Sequence, residues 1–223
     1  MANIINHKTT QVNFVLIPNN PINIDGIDIT KIKIKLSEIF SNSKTIITQF
    51  PEVLVVFDPN NNISINVLKD QNRIIIADNT TSPYSGRPLE NFFKFAKEIS
   101  DITNNDNTKD YGFNILSNFD LENGTTDSGK FINENYLKTE KLAHIGNIKS
   151  AGLRIVYETT VGIRSELKIE PRFGQNLEAT KNIIISHNSH FVSKPLPPLG
   201  DLNSQLQEIY NGLPGILSKI FSQ

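Results

Sequence analysis

QVNFVLI at residues 11–17 and YGFNI at residues 111–115 are the stretches whose reading decides the fold. In the first, Val12, Phe14 and Leu16 alternate with Gln11, Asn13 and Val15; in the second, Tyr111, Phe113 and Ile115 alternate with Gly112 and Asn114. A period of two predicts a strand with one buried face. The same order of elements succeeds each stretch. After the first, Asp28 or Thr30 opens a helix with Ile29, Ile32, Leu36, Ile39 and Phe40 on one side and lysines on the other. Four β-rich runs come next, at 45–50, 53–57, 63–68 and 73–77, divided by Pro51 and the Asp58-Pro59-Asn60-Asn61 turn. The 45–50 run reads as a short lead-in strand. Leu89, Phe92, Phe93, Ala96 and Ile99 then form the stripe of a closing helix behind Pro88.

After the second stretch, residues 118–128 are a polar excursion and residues 130–142 a weaker helix. Residues 152–158 and 163–172 alternate as the arms of an antiparallel hairpin, with Leu153, Ile155, Tyr157, Ile163, Leu167 and Ile169 inward. One more strand is predicted at 182–187. Pro195-Leu196-Pro197-Pro198 is an extended strap, because proline has no amide donor and a fixed φ. A helix carrying Leu202, Leu206, Ile209 and Tyr210 comes after it, is interrupted at Gly212-Leu213-Pro214, and ends in a short apolar turn. The expected fold class is therefore α+β, mainly antiparallel sheet with amphipathic helices packed on one face. Two halves, 1–105 and 106–223, form one compact body, joined by a polar linker at 100–110.

Composition narrows the function more than it names it. The 22 Lys+Arg against 23 Asp+Glu give a net charge of −1, so no field of one sign gathers nucleic acid or anionic lipid. Cysteine is absent, which removes disulfides, thiolate metal sites and a cysteine nucleophile, and suits a reducing, cytoplasmic setting. The first eleven residues carry no secretory pattern, and no apolar run approaches the roughly 18 residues of a membrane span. With 28 Asn and 32 Ile against 6 Ala, the chain is skewed toward residues of AT-rich codons, which warns against reading its Asn-rich turns as ligands.

No segment spells a reaction. Neither the P-loop pattern nor the dinucleotide glycine triplet occurs after a strand, and no cofactor is expected. His187 and His190 are the densest potential ligands; they share a metal only if a turn folds them together and a carboxylate such as Glu178 joins them. Asp78 and Glu90 flank a loop with Ser82, Tyr84, Ser85 and Arg87 that has the makings of a pocket wall but lacks a nucleophile elbow. Arg154, Arg164, Lys168 and Arg172 fall on the outward face of the hairpin, a nucleic-acid surface unless Glu158, Glu166 and Glu170 neutralise it. Pro197, Leu199, Ile216, Leu217, Ile220 and Phe221 are the residues expected to meet a partner, another protein or a second copy of the chain. By elimination the sequence points to a non-catalytic interaction or regulatory subunit. Its rivals are an enzyme with a dispersed carboxylate or histidine site and a nucleic-acid binder.

Overall fold

The computed structural model describes residues 4–79, 89–103, 108–121, 127–136, 150–160, 162–175 and 179–221. Among these residues nine strands make one antiparallel sheet: β1 (Ile4–Pro18), β2 (Ile46–Phe50), β3 (Val53–Asp58), β4 (Ile63–Leu68), β5 (Arg73–Asp78), β6 (Thr108–Leu121), β7 (Leu153–Thr160), β8 (Ile163–Phe173) and β9 (Ala179–Phe191). Their spatial order is β2-β3-β4-β5-β1-β6-β9-β8-β7. Four helices, α1 (Ile29–Ile39), α2 (Leu89–Ile102), α3 (Ser128–Tyr136) and α4 (Leu199–Phe221), pack on one face. The α+β expectation therefore holds.

Alternation sets which side of each strand is covered. Val12, Phe14 and Leu16 of β1, Ile63, Ile65 and Val67 of β4, and Ile183 and Ile185 of β9 are fully buried, while their neighbours stay half-exposed. Burying large apolar side chains is what holds helices to sheet, at about 25 cal/mol for each Å² removed from water. Phe92, Phe93 and Phe95 of α2 pack into this layer, with Phe93 edge-on to Phe113 at 5.3 Å between ring centres. Asp28 caps α1, its carboxylate accepting from the Lys31 amide at 3.0 Å.

The two halves meet where β1 pairs with β6, in the middle of the sheet, so residues 1–105 and 106–223 share a core. The halves are unequal, with five strands in the first and four in the second.

Several elements run beyond the lengths read from local pattern. β1 starts at Ile4 because two register shifts, at Ile5/Lys8 and Thr9/Gln11, break the alternation without ending the pairing. One result is a polar residue inside: Thr9 faces the helices and bonds Ser117 at 3.2 Å. The 45–50 run is a full edge strand, β2. The 100–110 linker shrinks, since α2 continues to Ile102 and β6 begins at Thr108. β6 extends to Leu121 and α3 ends at Tyr136, with residues 137–149 outside the described set. α4 is continuous through Gly212, Leu213 and Pro214, although a break was expected.

Three of the four described non-glycine residues with left-handed backbone are asparagines, Asn42, Asn62 and Asn72. Asparagine tolerates that conformation better than other side chains, so part of the Asn excess serves turns. Asn72 also ties β1 down, donating to the Pro18 carbonyl at 2.9 Å and accepting from the Ile22 amide at 3.0 Å. The Asp58 turn is fixed in the same way. Burial pulls this carboxyl up, but hydrogen bonds from the Asn61 side chain and from the Lys44 and Asn61 amides outweigh it and hold Asp58 below the usual carboxylate range.

Candidate ligand-binding cavity

α4 crosses the sheet on three hydroxyl anchors. Tyr111 donates to Gln205 Oε1 at 2.9 Å, Tyr210 to Thr9 Oγ1 at 3.1 Å, and Tyr136 to the Ile220 carbonyl at 2.7 Å. Tyr111 and Tyr210 are tied to the central strands β6 and β1, so α4 is held over the middle of the sheet and stands off its β7 side. The gap is a cavity of about 530 Å³. Its sheet wall is Tyr157 and Thr159 of β7, Ile163 and Ser165 of β8, and His187 and Ser189 of β9; its helix wall is Gln205, Glu208, Ile209, Gly212 and Ile216.

The space exists because small side chains stand where large ones stand elsewhere. Ser165 and Ser189 are register partners on the inward face, next to the row that pairs Ile163 with Phe191. Both serines are buried and bond each other at 3.3 Å. On the helix side a Cβ added at Gly212 meets nothing within 4 Å.

His187 sits on the same wall, between Ile115 and Leu167 in register and only 2% exposed. Its Nε2 lies 3.0 Å from the Tyr157 hydroxyl. Burial pushes the imidazole down to about 4, so it is neutral at pH 7. Burial pushes the Tyr157 phenol up, opposed by its hydrogen bond to Ser165. His187 Nδ1 is buried and has no hydrogen-bond partner among the described residues. The wall thus offers uncharged donors and acceptors set in apolar surroundings, with one carboxylate, Glu208, exposed on α4.

The structure separates the two histidines. Residues three apart on one strand face opposite ways, and β9 carries both, so the expected turn is absent: His187 lies under α4 and His190 on the uncovered face. His190 Nε2 is 4.0 Å from the Asp110 carboxylate, beside a shallow depression of about 140 Å³ at Gly112 with Arg73, Asn114 and Asn188. Among the described residues no three His, Cys, Asp or Glu side chains are grouped to hold a metal ion. Glu178 and the loop with Ser82, Tyr84, Ser85 and Arg87 lie outside the described residues.

The hairpin cations stand outward with their acids among them. Glu166 accepts from Arg154 at 2.6 Å and pairs with Lys168 at 3.1 Å; these bonds, Arg154 first, hold its carboxyl low. Arg164 faces Glu158 across the hairpin, and Arg172 lies further along β8. The C-terminal set is a correction. Leu217 and Phe221 are buried, Ile216, Ile220 and Leu199 pack against the core, and Pro197 is half-buried. Phe221 is ringed by Phe119, Phe131 and Tyr136 at 5.2–6.0 Å, so this turn holds α4 to its own sheet rather than presenting an apolar surface.

Sequence reasoning found His187 and the inward Tyr157 but missed Ser165, Ser189, Gln205 and Gly212. The signal was available: Ser165, His187 and Ser189 fall on the apolar phase of their strands, alongside Leu167, Ile185 and Phe191. Three polar interruptions of a buried face mark a place where the core does not close.

These features define a half-covered antiparallel α+β sheet with a cavity under its last helix. Comparison with protein-family models and with curated proteins returned no match. Among the described residues no helix is long and apolar enough to cross a membrane.

Proposed function

We propose that this chain is a non-catalytic binding protein that holds one small, uncharged molecule with a largely apolar body beneath α4. In this reading it works as a regulatory subunit in the cytoplasm, passing on the ligand's presence through contacts with another protein or a second copy. The cavity carries the reading: about 530 Å³ is the volume of a small-molecule site, and the polar groups of its sheet wall are uncharged, the one carboxylate, Glu208, being exposed on α4. A neutral ligand matches that wall, because burying an unpaired charge there costs several kcal/mol. Binding is favoured over chemistry by the state of the one titratable pair inside. A histidine held near 4 is a weak base at neutral pH, and a phenol raised by burial is a weak acid.

The test is titration with Nile red, a neutral dye that brightens and shifts to the blue in apolar sites. The expected outcome is saturation at one dye per chain, lost when Ser189→Phe fills the floor or Gly212→Phe fills the helix side. Equal binding by wild type and both filled variants overturns the proposal.

A further inference from the structure

The sheet ends in two edge strands, β2 and β7, and each pairs with a single neighbour among the described residues. Exposed edges invite pairing with another chain. β7 is the longer, with eight residues to five, and its residues 153–158 pair with β8 without a register shift. Ile155 and Val156 on it are 38% and 46% exposed.

We propose that β7 pairs antiparallel with β7 of a second copy about a twofold axis through Val156, continuing the sheet across both subunits. The charge pattern selects this register. Arg154 and Glu158 share the uncovered face and are equally spaced about Val156, so the axis sets Arg154 opposite Glu158 of the partner subunit, and Glu158 opposite Arg154 of the partner subunit. Val156 meets its own copy between these pairs. On the other face Ile155 lies opposite Tyr157 of the partner subunit, an apolar pair beside an aromatic ring. Each position from Arg154 to Glu158 thus meets a compatible partner, whereas a shift of two residues sets Arg154 opposite Val156 of the partner subunit and breaks both ion pairs. The occupant is a second copy because the complementarity is internal to one strand: a twofold interface uses the same patch on both subunits. Tyr157 and Thr159 belong both to β7 and to the cavity wall, so the interface borders the site without depending on it.

The chain has no cysteine, which makes a single introduced thiol unambiguous. Val156→Cys places two thiols across the axis, with Cβ atoms about 4.5–5.5 Å apart, close to what a disulfide spans. Under mild oxidation by oxidised glutathione, Val156→Cys should convert largely to a covalent dimer, while Thr48→Cys, at the centre of β2, stays monomeric. In sedimentation, Arg154→Glu should weaken self-association of the full chain about tenfold and the double swap Arg154→Glu/Glu158→Arg should restore it. Circular dichroism checks that each variant is folded. A wild type that stays monomeric up to roughly 100 µM, a hundredfold above a micromolar Kd, overturns the proposal. So does cross-linking through Thr48→Cys in place of Val156→Cys.

Discussion

His187 is the buried titratable side chain of the cavity wall. An imidazole buried to 2% exposure gives up hydration and keeps one hydrogen bond, to Tyr157, so it stays neutral in the fold down to about pH 4. In the unfolded chain it takes a proton near 6.5. Between those values the unfolded state binds more protons than the folded one, so stability falls as pH drops from 6.5 toward 4 and is level above 6.5 for this group. The loss reaches about 3 kcal/mol across the window. Urea midpoints measured from pH 7.5 to 4.5 should show this slope in wild type and a flatter one in His187→Gln. The position was legible in sequence as a polar residue on an apolar phase. Its distance from His190 was not, because the meaning of a three-residue spacing depends on whether the backbone is strand or turn, and local pattern favoured a turn after residue 187.

At the scale of elements, α4 shows packing overriding local preference. Proline at 214 removes one backbone hydrogen bond and crowds the preceding turn, a cost of about 3 kcal/mol, and each helical glycine adds about 0.5–1 kcal/mol. Read locally, Gly212-Leu213-Pro214-Gly215 is a stop. Leu206, Leu213, Leu217 and Phe221 nevertheless lie on one side of the helix and are buried, so continuing the helix gains more than breaking it saves. Cβ atoms at Gly212 and Gly215 meet nothing within 4 Å, and neither glycine has a left-handed backbone. Gly212→Ala and Gly215→Ala should therefore each raise stability by about 0.5–1 kcal/mol in thermal or urea unfolding. Phe221→Ala should have the opposite sign. Emptying the ring of Phe119, Phe131 and Tyr136 costs about 3 kcal/mol, the range for a buried phenylalanine, and the loss is visible in the same assay. An exposed partner surface at that position would leave stability unchanged.

The whole molecule was legible in its parts more than in their arrangement. Strand and helix periods located the nine strands of the described residues and three of their four helices, with α4 read as broken, because one-sided burial imprints a period on each element. The strand order carries no comparable local signature. β1 pairs with β5 and with β6, and β6 with β9, pairings between segments far apart in sequence that side-chain alternation leaves open. The cavity results from that order: only once β7, β8 and β9 are side by side do Tyr157, Ser165, Ser189 and His187 share one wall. Isoleucine methyl groups are suitable reporters, since the residue is abundant and spread through both halves. A methyl NMR spectrum of the isoleucine-labelled protein with and without saturating Nile red locates the ligand directly. Shifts confined to Ile163, Ile209 and Ile216, with Ile63, Ile65 and Ile74 unmoved, are the predicted result; shifts at Ile46 and Ile75 on the uncovered face, or at no methyl at all, would contradict it.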